Sequence, residues 1–212
     1  MQPRAVIFDL DGTLVDSLED IASALDLALD DHGLARPTRA LVRTWIGAGA
    51  RNLIAQAVGE ERTDSVLARF RVHYAASPVV HTQLYAGLDT ILDRFAAHDL
   101  KLAVLSNKPD ALTKRIAEVL LPRWPFAPVL GQRAHVALKP SPDAAFEVAS
   151  AIGIAPEHCA FVGDSAIDIL TARAARMIPV AVSWGFRPRV ELAAANPALI
   201  ADAPAELAVL AP

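Results

Sequence analysis

Apolar and polar positions fall into two spacings along this chain, one suited to short strands and the other to helices. Ala5-Val6-Ile7-Phe8 is a short, partly β-branched apolar run and reads as a buried strand. From residue 17 to about residue 78 no strand pattern follows. Residues 18–32 instead place Ile21, Leu25 and Leu29 on one helical face and end at Gly33, a natural helix terminator. Thr38 is placed to cap a second helix bearing Leu41, Val42, Trp45 and Ile46. Gly47-Ala48-Gly49 interrupts that stripe, and Leu53, Ile54 and Val58 resume it. A further helix is expected from Thr63 or Asp64, with Val66, Leu67, Phe70 and Tyr74 aligned and Pro78 as the stop.

After Leu84 strands and helices alternate. The pattern predicts helices over 88–97, 110–120, 142–152 and 167–175, with a short one over 190–195. Strands are predicted over 102–105, 160–162 and 179–182. Residues 125–130 carry Pro125 and Pro128, so a strand there belongs at a sheet edge. Such alternation implies a parallel sheet covered on both faces. The fold class is α/β: a Rossmann-like parallel sheet core, residues 1–15 and 85–212, into which an all-helical cap, residues 16–84, is inserted.

The 212 residues suffice for one full domain and a modest second one. A hydrophobic content of 53% supports a large core and argues against disorder. No apolar run approaches the roughly 20 residues that span a bilayer, and the N-terminus lacks the pattern of a signal peptide. A net charge of -4 gives no reason to expect a nucleic-acid partner. Cys159 is the single cysteine; it excludes an intrachain disulfide and, in an apolar run, is expected to pack as a small hydrophobe. The six histidines never fall at close ligand spacing, which argues against zinc. A cytoplasmic protein, monomeric or homodimeric, is expected.

Four places at strand ends carry candidate chemistry. Asp9-Leu10-Asp11-Gly12-Thr13 sets two carboxylates beside a tight turn, and a strand's period of two points both the same way. Like charges that close call for a divalent cation, although an Asp-Gly pair also simply ends strands. Ser106-Asn107-Lys108-Pro109 offers a hydroxyl and backbone N–H groups at a strand-to-helix turn, a phosphate cradle or an ordinary loop. Lys139, held extended by Pro140, supplies a point cation suited to a phosphoryl group. In Gly163-Asp164-Ser165-Ala166-Ile167-Asp168 the second acid returns to the side of the first if a helix begins at Ser165; otherwise Asp164 caps the helix and Asp168 is a solvated first-turn acid. In an open parallel sheet all four places gather at the carboxyl edge, where ligands bind. Together they form an oxygen-ligand site suited to Mg²⁺ beside a phosphate site.

The run from Phe8 through Ser17, with Ser106, Lys139-Pro140 and Gly163-Asp164-x-x-x-Asp168 in order, resembles the four motifs of the haloacid dehalogenase-like hydrolases. Asp11 matches the phosphatase form of the first motif, since the dehalogenases lack a carboxylate there. The resemblance implies Asp9 as nucleophile and Asp11 as general acid and base in a phosphomonoesterase that passes through an aspartyl-phosphate. It further implies Mg²⁺ held by Asp9, a backbone carbonyl of Asp11, and Asp164, with Asp168 orienting the metal's waters. Ser106, Asn107 and Lys139 would hold the phosphoryl oxygens. Gly47 to Leu53 and Ser106 to Pro109 resemble the phosphoglycolate phosphatase branch, which makes 2-phosphoglycolate the expected small phosphorylated metabolite. Arg51 is then a candidate partner for its carboxylate, or a solvated helix arginine. Two departures, the missing acid after Gly131 and the basic stretch from Arg36 to Arg39, leave sugar phosphates open as substrates and a phosphomutase as a further alternative. A non-catalytic, receiver-like phosphate-binding module is the reading from another class; it needs neither a lid nor Asp11.

Overall fold

A computed structural model describes residues 2–212. The chain runs β1 (Ala5–Phe8), β2 (Val15–Asp16), α1 (Leu18–Asp30), α2 (Arg39–Trp45), α3 (Ala50–Val58), α4 (Glu60–Ala76), β3 (Gln83–Leu84), α5 (Leu88–Ala97), β4 (Lys101–Pro109), α6 (Asp110–Leu120) and β5 (Phe126–Gln132). It continues with α7 (Asp143–Ile152), β6 (Cys159–Gly163), α8 (Ala166–Ala174), β7 (Ile178–Val182), α9 (Arg189–Ala194) and β8 (Leu199–Ala201). A 3-10 turn over Pro204–Leu210 follows.

Six strands form one parallel sheet in the order β5-β4-β1-β6-β7-β8. The first strand is therefore central, with Phe8 beside Val104 on one side and Val162 on the other. Strand periodicity divides its side chains between two layers. Val6 and Phe8 pack with Leu92 and Phe95 of α5 and Ile116 of α6; Ala5 and Ile7 pack with Ala145 and Val148 of α7 and Ala172 of α8. Phe8 meets Phe95 and Phe126 at ring-centroid distances of 6.4 and 6.2 Å, ordinary aromatic pair geometry. Pro128 lies in the edge strand β5, where its missing N–H breaks no interior ladder. Cys159 is buried in β6, and burial pushes its thiol up to about 11.

Helices α1 to α4 build a separate apolar cluster from Leu25, Leu29, Val42, Ile54, Val66 and Phe70. Phe186, from the loop after β7, joins it. The chain leaves the sheet through β2 and returns through β3, which pair antiparallel.

Several boundaries differ from the sequence reading. Thr38 does cap α2, accepting the Leu41 N–H. By contrast, α4 starts at Glu60, because Gly59, at φ 75°, ends α3 and opens the next helix in one residue; Thr63 lies inside α4 and its hydroxyl donates to the Gly59 carbonyl. Strand β4 continues to Pro109, carried on by register shifts against β5, so residues 106–108 are extended strand and not a turn.

Candidate active site

The Asp9 N–H donates to the Val162 carbonyl at 2.9 Å, which extends the β1–β6 ladder one rung and fixes Asp9 at the sheet's carboxyl edge. The chain then turns tightly, the Leu10 carbonyl accepting from Leu14 and Val15. Gly12 sits in the left-handed region at φ 81°, and a Cβ there would stand 2.8 Å from both the Asp164 carboxyl carbon and the Phe186 ring. Only glycine fits both the backbone and the space.

Asp164 follows β6 directly and accepts the Phe186 N–H at 2.6 Å. Ser165, and not Asp164, caps α8: the Ser165 N–H and hydroxyl donate to Asp168 Oδ2, and the Ser165 side-chain oxygen accepts the Asp168 backbone N–H. Lys139 Nζ reaches in from the loop after β5, 2.6 Å from Asp168 Oδ1, 2.9 Å from Asp9 Oδ1 and 3.1 Å from the Leu105 carbonyl. The structure thus brings together Asp9, Asp164, Asp168 and Lys139, all buried. Carboxylate oxygens of the three acids lie within 4.8 Å of one another.

Burial pushes the Asp9 carboxyl up to about 6, with Asp168 and Asp11 adding to the rise and Lys139 opposing it. Burial, then Asp168 and Asp9, holds Asp164 well above the usual carboxylate range. Burial works against the Lys139 charge, but Asp168 and Asp9 outweigh it and its pKa is raised. Three carboxylates against one ammonium leave two negative charges. Asp9 Oδ1 is buried, with the Lys139 ammonium 2.9 Å away. An all-oxygen donor set with that surplus charge fits a hard divalent cation such as Mg²⁺.

Asp11 has other partners. Lys108 Nζ lies 2.9 Å from both its oxygens, and the Ser17 hydroxyl donates to Oδ1 at 2.5 Å. The two carboxylates share no partner, although both residues border one cavity. Asn107 is fully engaged: its amide donates to the Gly47 and Lys139 carbonyls, and its oxygen accepts the Lys139 N–H. It ties the helical block to the lysine loop. Ser106 is buried at the end of β4, its hydroxyl accepting the Lys108 N–H at 3.3 Å.

Lys108 and Ser17 received no role from the sequence alone. The signal for Lys108 was its place two residues after Ser106, which puts both on one face of an extended strand. Arg51, the candidate carboxylate partner, is exposed and pairs with Glu60 at 2.9 Å and Asp64 at 3.7 Å, because its position on α3 faces α4 and solvent. Such exposed pairs contribute little. Arg51→Ala is expected to leave kcat/KM for any phosphate ester within about twofold of wild type, measured by phosphate release.

A haloacid dehalogenase-like hydrolase model matches residues 6–182. A phosphoglycolate phosphatase of Pseudomonas aeruginosa is 37% identical, covering 94% of this chain and 76% of its own length. Another, from Rhodospirillum rubrum, is 34% identical over 87% of this chain and 81% of its own. The solved structure of a predicted phosphoglycolate phosphatase from Haemophilus somnus superposes with a TM-score of 0.90 at 29% identity, covering 99% and 98% of the two chains. The chain belongs to the haloacid dehalogenase-like hydrolases. Within that family it falls in the phosphoglycolate phosphatase-like branch, as a phosphoric monoester hydrolase. Among the described residues no helix is long and apolar enough to cross a membrane.

Proposed function

We propose that the protein hydrolyses a small phosphorylated metabolite, 2-phosphoglycolate or a close analogue, in the cytoplasm and with Mg²⁺, through an aspartyl-phosphate on Asp9. The observation that carries this reading is the convergence of Asp9, Asp164 and Asp168 within 4.8 Å, with Lys139 bridging two of them at the sheet edge. An Asp9 oxygen attacks phosphorus, and the ester oxygen leaves with a proton from the Asp11 carboxyl. Asp11 then takes a proton from the water that hydrolyses the aspartyl-phosphate. The Lys139 ammonium and the Ser106 hydroxyl hold phosphoryl oxygens as their charge grows. Asn107 fixes Lys139, and Asp168 orients it from the first turn of α8. Mg²⁺, held by Asp9, Asp164 and the Asp11 carbonyl, would offset the repulsion between an anionic nucleophile and an anionic ester.

Residues 16–84 act in this reading as a cap over the site. Support comes from the Asn107 hydrogen bond to Gly47 and from a cavity of about 50 Å³ bordered by Asp9, Asp11, Ser106, Ile46 and Phe70.

Multiple-turnover phosphate release from 2-phosphoglycolate tests the reading. Chelation with EDTA is expected to suppress turnover by at least about 100-fold, and excess Mg²⁺ to restore it. Full activity in EDTA would remove the metal from the mechanism, and release that stops at one equivalent would make the protein a phospho-acceptor.

A further inference from the structure

The phosphoryl chemistry leaves one buried cation without a task. Lys108 Nζ sits 4.5 Å above the Tyr74 ring and bonds both oxygens of Asp11. Among the described residues it is the one cationic side chain bordering the cavity of about 50 Å³, which Tyr74, Gly49 and Ala50 also border. The Tyr74 hydroxyl is buried, with the Lys108 ammonium as its polar neighbour. Gly49, which caps α3 without a side chain, lies on the same border. A cation and a buried phenol side by side on one small cavity make a receptor for a second anionic group. Each borders a space that also touches Asp9.

Resting on the phosphatase reading above, we propose that Lys108 is the specificity-determining residue. It takes the carboxylate of a two- or three-carbon phosphorylated acid, with the Tyr74 hydroxyl as hydrogen-bond donor beside it. Without substrate, Lys108 occupies both Asp11 oxygens, and Ser17 shares one of them. A substrate carboxylate draws the ammonium toward itself and leaves an Asp11 oxygen open to the ester oxygen. Esters without that carboxylate lack this means of freeing Asp11, so discrimination acts on turnover as well as on binding.

The test compares 2-phosphoglycolate with ethyl phosphate, the same two-carbon ester without the carboxylate, in wild type, Lys108→Met and Tyr74→Phe. Wild type is expected to favour phosphoglycolate in kcat/KM. Lys108→Met is expected to cut that preference by about 10- to 100-fold, through a higher KM for phosphoglycolate and, with Asp11 released, a higher kcat for ethyl phosphate. Tyr74→Phe, which removes one oxygen and keeps the ring, should cut it by about 3- to 10-fold. A wild type with no preference, or variants that slow both esters equally, would overturn the assignment while leaving the phosphatase reading intact. If Lys108→Met does not fold, an unchanged preference in Tyr74→Phe overturns it alone. A wild type that turns over neither ester overturns the phosphatase reading and this assignment with it.

Discussion

Asp9→Asn is expected to lower turnover of any phosphate ester by at least about 10³-fold, because an amide cannot attack phosphorus. The substitution is close to isosteric, and Asp9 is held by its backbone bond to Val162, so the turn at Gly12 has no reason to change. A loss of that size with a native melting curve would isolate the chemistry from folding. Asp11→Asn is expected to slow the reaction by about 10²- to 10⁴-fold, the usual worth of a positioned acid and base. The two variants should separate in metal binding. The Asp11 carboxylate faces Lys108 and Ser17 and stands outside the cluster of Asp9, Asp164 and Asp168. Calorimetric Mg²⁺ titration should therefore show near-native affinity for Asp11→Asn and a large loss for Asp164→Asn. Wild-type turnover in Asp9→Asn would refute the nucleophile; an Mg²⁺ loss in Asp11→Asn as large as in Asp164→Asn would refute the division of labour.

The parallel sheet was legible because each strand is a short apolar run followed by a turn residue and a helical stripe. The positions of Asp9, Lys139 and Asp164 at one sheet edge follow from that order. What pairs with Asp11 was not legible, since it depends on β4 running past Leu105 to Pro109 through register shifts that no local pattern announces. Between the two readings of Arg51, substrate partner or solvated helix arginine, the sequence offered no choice, for a related reason. Its motif fixed the helix, but which side of α3 meets α4 is set by tertiary packing with Glu60 and Asp64. The strand β8 and the 3-10 turn over Pro204–Leu210 escaped notice because three residues and an Ala/Pro-rich tail carry no periodicity. Phe186 was missed too: nothing in a loop sequence announces that its ring joins the helical cluster while its N–H holds Asp164.

The fold also leans on one acid remote from the chemistry. Asp20, in the first turn of α1, is buried and accepts the backbone N–H groups of Val80, His81 and Thr82, at 2.8 to 3.0 Å, and the Thr82 hydroxyl. It thereby ties the start of the helical block to the segment returning to the sheet, next to the β2–β3 pair. Asp20→Ala leaves several donors unpaired, and Thr82 among them is buried; a loss of about 2 to 4 kcal/mol in unfolding free energy is expected at pH 7. The dependence on pH has a definite sign. Burial alone would raise the Asp20 pKa, but the Thr82 hydroxyl and the three N–H groups outweigh it and hold the carboxyl below its usual range. A carboxylate depressed in the folded state stabilises fully above its unfolded pKa of about 3.9. That contribution fades as pH falls through the lower folded value. Urea unfolding of wild type and Asp20→Ala should therefore give a difference that is constant from pH 7 to about pH 5 and shrinks toward pH 3. A difference that grows in acid would reverse the assigned sign, and one below about 0.5 kcal/mol at pH 7 would mean that water satisfies the linker as well as the carboxylate does.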